Sequence, residues 1–169
     1  QINYFNFKMI KKIITLVKKI DNEINAFSEG FFIYSEFLLR IFLGIAFIIH
    51  GYNKFPLPPA TLIKYFGFSP HLASFVAISE VLAGALIIFS GFINSFLGNL
   101  LTRISALIIV IIMIFAFYFA HKDWFFNQKL FTSEQIFLFI LGVYFLINGN
   151  CNYRKKLFKT SWFNKKLLV

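Results

Sequence analysis

Four long apolar runs separated by short polar stretches constrain this chain more than any other feature. The first, Phe31 to His50, is 20 residues long, enough to cross a hydrocarbon core of about 30 Å at about 1.5 Å per residue. The second runs from Leu72 to Ile93 and is opened by Ser69-Pro70, a cap residue followed by the ring favoured at the first helical position. The third is Leu100 to Ala120. The fourth, Thr132 to Gly149, is weaker at 18 residues. Thr132 and Gln135 are spaced as a capping box, and such a short run must cross with little tilt or thin the bilayer locally. In lipid the backbone has no water to bond, so spans this apolar are expected to be helices.

Composition and charge agree. Hydrophobic residues make up 59% of the 169, charged residues 14%, and the mean hydropathy is +0.73. A soluble domain of this size has too little interior to hide so much apolar surface, 26 Phe included. The apolar runs recur along the whole chain, which a cleaved secretory signal does not explain. The net charge of +10 raises the question of nucleic acid, but the basic residues are placed otherwise. Lys8, Lys11, Lys12, Lys18 and Lys19 lie before the first run, and Arg154, Lys155, Lys156, Lys159, Lys165 and Lys166 after the last. Basic clusters flanking spans mark the cytoplasmic side.

Two basic tails on one side require an even number of crossings, and four fits. The expected fold is therefore all-α: an integral membrane four-helix bundle over residues 31–150, preceded by a basic amphipathic cytoplasmic segment, 1–30, and followed by a basic cytoplasmic tail, 151–169. The 51–71 and 121–131 loops then face outward with Lys54, Lys64, Lys122 and Lys129, and the 94–99 connection faces inward. Twelve basic residues inside against four outside set the orientation. Within residues 8–24, Ile10, Ile13, Val17, Ile20 and Ile24 share one helical face and the lysines the other. That pattern suits a helix on an anionic membrane surface, or one packed on a partner protein. The chain opens on Gln1 rather than Met, so the native start is expected upstream. Cys151 is the only cysteine, so no intramolecular disulfide or CxxC pair can form.

Ionisable groups inside spans cost about 2.5–3.5 kcal/mol each on insertion scales. Glu36, Arg40 and Glu80 lie well inside their runs, and Arg103 near the start of the third. Glu36, Arg40, Gly44, Phe47, Gly51 and Lys54 form one stripe; Ala73, Ala77, Glu80, Gly84, Ile87 and Gly91 form another. Small residues beside the charges allow close helix approach and keep the charges inside the bundle. Counting from the ends of the runs puts Arg40 and Glu80 at similar depth, so an Arg40–Glu80 ion pair is expected, with Glu36–Arg103 as a second. Such pairs either do chemistry or simply clamp helices in register.

His50, His71 and His121 all fall toward the outer surface, with Lys54 and Glu134 at a similar level and Tyr52, Phe55, Tyr118 and Trp124 around them. One reading is an outer ligand pocket built from His50, Lys54, His121 and Glu134, taking a quinone headgroup or other small molecule. The other is an interfacial belt of aromatic and polar residues. A haem held by His50 and His121 is disfavoured, since their positions show only that both reach the outer leaflet.

Leu39-Arg40-Ile41-Phe42-Leu43-Gly44 followed by His50-Gly51-Tyr52-Asn53-Lys54-Phe55 resembles the first helix of the DoxX-like family. Glu80-Val81-Leu82-Ala83-Gly84 with Gly91-Phe92 resembles its second helix. Thr102-Arg103-Ile104-Ser105-Ala106 and Glu134 before Gly149 also fit, so the resemblance covers about residues 36–150. It implies a four-helix protein of the bacterial inner membrane, with both termini cytoplasmic here. Relatives are often described as subunits or partners of membrane oxidoreductases, including a thiosulfate–quinone oxidoreductase. The family's polar positions would be Arg40, His50, Lys54, Glu80, Arg103 and Glu134. The stretch Gly149-Asn150-Cys151-Asn152-Tyr153-Arg154 departs from the acidic, Gly-rich pattern often found after helix four.

Three functions follow as alternatives: an oxidoreductase-associated accessory subunit contacting quinone, a purely structural subunit of a larger membrane assembly, or a small-molecule or lipid carrier. The partners expected are the bilayer and other membrane subunits, not nucleic acid. The sequence has no Cys pair, Gly-rich nucleotide loop or HExxH metal motif to mark an autonomous enzyme.

Overall fold

The computed structural model describes residues 2–120, 128–150 and 153. It divides into two units, Gln1–Glu36 and Phe37–Val169. The first unit is dominated by α1 (Ile2–Glu29), which ends in a turn where the Phe31 N–H donates to the Ser28 carbonyl at 2.9 Å. Between Met9 and Ile24 its apolar and basic residues separate at helical period, so that stretch presents two unlike faces.

The second unit holds all but the first turn of α2 (Phe32–Tyr52), and α3 (Ala60–Phe66) follows after a proline-rich turn. Then come α4 (Pro70–Phe89) with a 3₁₀ turn at Ser90–Phe92, α5 (Phe96–Ala120), α6 (Lys129–Thr132) and α7 (Glu134–Asn148). Ser69 caps α4 by accepting the Leu72 N–H at 3.3 Å, with Pro70 at the first helical position. Three stretches are long and apolar enough to cross a membrane: Tyr34–Tyr52, Pro70–Phe92 and Phe96–Ala120. At 15 residues α7 is shorter, roughly 22 Å. Among the described residues there is no strand.

The core is a seam shared by these four helices. Leu43 and Phe47 of α2, Ala83 and Ile87 of α4, Ala106, Ile109, Met113 and Phe117 of α5, and Leu138 and Phe145 of α7 pack together out of contact with the surroundings. Each helix also carries an exposed apolar face: Phe42 and Ile49 on α2, Phe75 and Leu82 on α4, Ile111 and Phe115 on α5, Phe137 and Ile140 on α7. Apolar faces of this extent on all four helices need lipid to cover them. The protein is an all-helical membrane bundle.

Two local expectations are corrected. The 132–149 run does not begin with a capping box: α7 starts at Glu134, and no side chain caps it. Both hydroxyls turn back instead, Thr132 to the Gln128 and Lys129 carbonyls and Ser133 to the Leu130 carbonyl. A hydroxyl that bonds a preceding carbonyl is lost to the following N–H groups. The 51–71 segment, expected as a loop, contains α3. Pro59 stands at its start, and Gly67 ends it at φ 67°, a left-handed position that glycine takes without penalty.

Candidate functional site

Polar side chains collect at two ends of the bundle. Where α4 and α7 stop, Arg40 is enclosed, with 1% of its surface exposed. Its Nη1 lies within hydrogen-bond reach of the Ile87 carbonyl (3.3 Å), Ser90 Oγ (3.3 Å) and Thr102 Oγ1 (2.9 Å), and Nη2 donates to the Gly149 carbonyl at 3.1 Å. The Phe145 ring centre is 4.6 Å from the guanidinium carbon. The last carbonyls of a helix lack intrahelical donors and carry partial negative charge. One guanidinium therefore caps the ends of two helices and reaches a third. Arg103 acts likewise on α7, donating to the Leu146 and Ile147 carbonyls at 2.8 and 3.0 Å. Asn150 completes the junction: Nδ2 donates to the Ser90 and Ile93 carbonyls, and its backbone N–H donates to Asn99 Oδ1 at 2.9 Å.

Gly149 makes this junction geometrically feasible. Its φ is 62°, and a Cβ there would stand 2.1 Å from Asn99 Oδ1. No residue with a side chain fits both the conformation and the space.

The expected ion pairs are replaced. Glu80 pairs with Lys54 and not with Arg40, and the Arg103 fork is taken by backbone carbonyls where a carboxylate, Glu36, was expected. Glu36 is itself buried, at 4% exposure. The cause is helix stagger. Gly44 packs against Gly84, Gly51 against Ala77 and Val81, and Gly91 beside the Arg40 Cδ. In this register Arg40 is level with Gly91, so Glu80 is roughly 16 Å further along α4. Counting from the ends of the apolar runs assumes that the helices finish flush. Instead Pro70 lies seven residues before Ala77, so α4 projects about 10 Å past the level of Gly51.

At this second end, Lys54 leaves the α2 terminus and its Nζ donates to Glu80 Oε2, with the Glu80 side chain only 6% exposed. The pair sits at the edge of a cavity of about 600 Å³ walled by α3, α4 and α5. Leu62 and Phe66 supply one wall, Phe75 and Val76 a second, Ile112 and Phe115 a third. The rings of Phe66, Phe68 and Phe119 lie 5.4–6.4 Å apart and close one side. Against this apolar lining the polar groups are few: Lys54, Ser79 and Glu80. An ammonium has three N–H donors, and Glu80 occupies one. The arrangement suits an apolar molecule bearing an oxygen acceptor at one end.

Of the four residues expected to form an outer pocket, two come together and a third turns elsewhere. His50 Nε2 lies 3.3 Å from Glu134 Oε1, an exposed pair joining α2 to α7. Lys54 turns instead to α4 and the cavity. His121 lies outside the described residues. His71, in the first turn of α4, is exposed, as are Tyr52 and Tyr118.

The family model for DoxX matches residues 36–122. The chain belongs to the DoxX family. Comparison with curated proteins and with solved structures finds no match. The matched span of this DoxX-family protein holds Arg40, Lys54, Glu80, Arg103 and the whole cavity lining, whereas the α7 side of the arginine junction, Phe145 to Asn150, lies beyond it. Glu134 falls beyond it. Ser79, Leu62 and Phe66 were missed in the sequence. Pro59 and Gly67 bracketing an apolar heptapeptide were the available signal for α3, since proline favours helix starts and glycine helix ends.

Proposed function

We propose that this DoxX-family protein is an accessory subunit of a membrane oxidoreductase, binding a quinone-class molecule in the cavity between α3, α4 and α5. The observation that carries the reading is the apolar cavity with the Lys54–Glu80 pair at its edge. Lys54 donates to a headgroup carbonyl, Glu80 holds the ammonium in place, and Phe66, Phe75 and Phe115 receive the ring and tail. The role is binding and orientation; the electron chemistry belongs to the partner enzyme. The flanking basic residues support a placement in the bacterial inner membrane with both termini cytoplasmic.

Extraction of lipids from the purified, intact protein followed by mass spectrometry tests the ligand. A quinone should co-purify with the native protein and be lost from Lys54→Met. Retention in Lys54→Met, or absence from the native protein even after incubation with a soluble quinone analogue, overturns the assignment. Affinity capture from native membranes tests the partner: recovery of an oxidoreductase supports the accessory role, and recovery of the bundle alone from intact membranes refutes it.

A further inference from the structure

Helix α1 lies apart from everything the ligand reading explains. Its residues from Met9 to Glu29 are exposed, yet they are not uniformly polar. Ile10, Ile13, Leu16, Val17, Ile20 and Ile24 are each more than half exposed, and each has another of the set three or four residues away. On a helix these six share one continuous face. Lys11, Lys12, Lys18 and Lys19 occupy the opposite face. The acidic residues of this stretch are Asp21, Glu23 and Glu29, and Asp21 Oδ2 accepts a hydrogen bond from Asn25 at 3.1 Å.

A helix so divided has one use for its apolar side and another for its charges, and an anionic bilayer surface answers both. Apolar side chains enter the acyl boundary while lysines reach the headgroup phosphates. Chain connectivity supplies the location. Only Gly30 to Ile33 separate α1 from the membrane-crossing stretch that begins at Tyr34, so the end of α1 cannot leave the headgroup region. Met9 and Ile14 widen the apolar side beyond the narrow seam that a two-stranded coiled coil uses. We infer that α1 is an in-plane anchor that binds an anionic lipid surface through its lysines while Ile13, Val17 and Ile20 insert. The inference rests on the chain spanning a bilayer and is independent of the ligand in the cavity.

Spin labels in the full-length protein test it. In a Cys151→Ser background, Val17→Cys and Lys18→Cys variants are labelled singly. They are reconstituted into nanodiscs of phosphatidylcholine alone or with about 30 mol% phosphatidylglycerol. In the anionic discs the label at 17 should collide with oxygen dissolved in lipid, and the label at 18 with a water-soluble nickel chelate. Replacing Lys11, Lys12 and Lys19 by Gln should weaken burial of label 17 by about fivefold per lysine. Equal access of the chelate to both labels overturns the inference. So does burial of label 17 that ignores lipid charge. Dipolar broadening that vanishes on dilution with unlabelled protein would assign the apolar face to a second copy, and overturns it equally.

Discussion

Gly44 and Gly84 face each other so closely that a methyl group on either would stand 2.5 Å from the other's carbonyl oxygen. This contact sets the register of α2 against α4. It therefore decides which charges meet: Arg40 reaches the ends of α4 and α7, and Lys54 reaches Glu80. Gly44→Ala also meets Ile88 Cγ1 at 2.4 Å, and overpacking of this kind costs about 1–3 kcal/mol. Thermal unfolding in detergent should show that loss, together with loss of ligand binding as α2 is pushed away from the cavity edge.

Arg40→Lys keeps the charge and removes the fork. Were charge all that Arg40 supplied, lysine would substitute tolerably. As a cap on carbonyls from two helices it cannot, because a single ammonium does not span Ile87 and Gly149 together. Destabilisation of about 3 kcal/mol is expected, near that of Arg40→Met. A lysine variant as stable as the native protein would contradict the capping role.

Glu80→Leu leaves the Lys54 ammonium without its carboxylate in an apolar setting and should destabilise by about 3–5 kcal/mol. The double change Glu80→Leu with Lys54→Met should cost less than Glu80→Leu alone, because the stranded charge is gone. A thermodynamic cycle over the four proteins, measured by reversible unfolding in detergent, gives the coupling. Additive single effects would show that the two groups do not interact.

The His50–Glu134 pair is exposed on both partners, with side-chain values of 41% and 67%. Exposed ion pairs contribute about 0–1 kcal/mol. His50→Gln and Glu134→Gln should each leave the unfolding midpoint within a few degrees of the native value, and quinone retention unchanged. Loss of the ligand in either variant would extend the site from the cavity toward α7.

The buried stripes were legible because helical period is written directly into residue order. Arg40, Gly44, Phe47 and Gly51 on α2, and Ala73, Ala77, Glu80, Gly84 and Ile87 on α4, are all buried as their spacing implies. The stagger between the two helices was not legible, since it depends on contacts between glycines 40 residues apart and not on where each apolar run stops. Nor was the choice of partners for Arg40 and Arg103. Several of their acceptors are main-chain carbonyls, which every residue has and no residue type advertises. The cavity was half legible: Lys54 and Glu80 drew notice as charges, whereas Ser79 and the α3 wall looked like ordinary span and loop.

Four acceptors of Arg40, on Ile87, Ser90, Thr102 and Gly149, all lie later in the chain than the arginine itself. During synthesis the first span therefore enters the bilayer before any of these four acceptors has been made. The last of these partners arrives only when the fourth helix has been made and docked. A nascent chain halted before Gly149 lacks that carbonyl, so the arginine junction closes only when the fourth helix is in place.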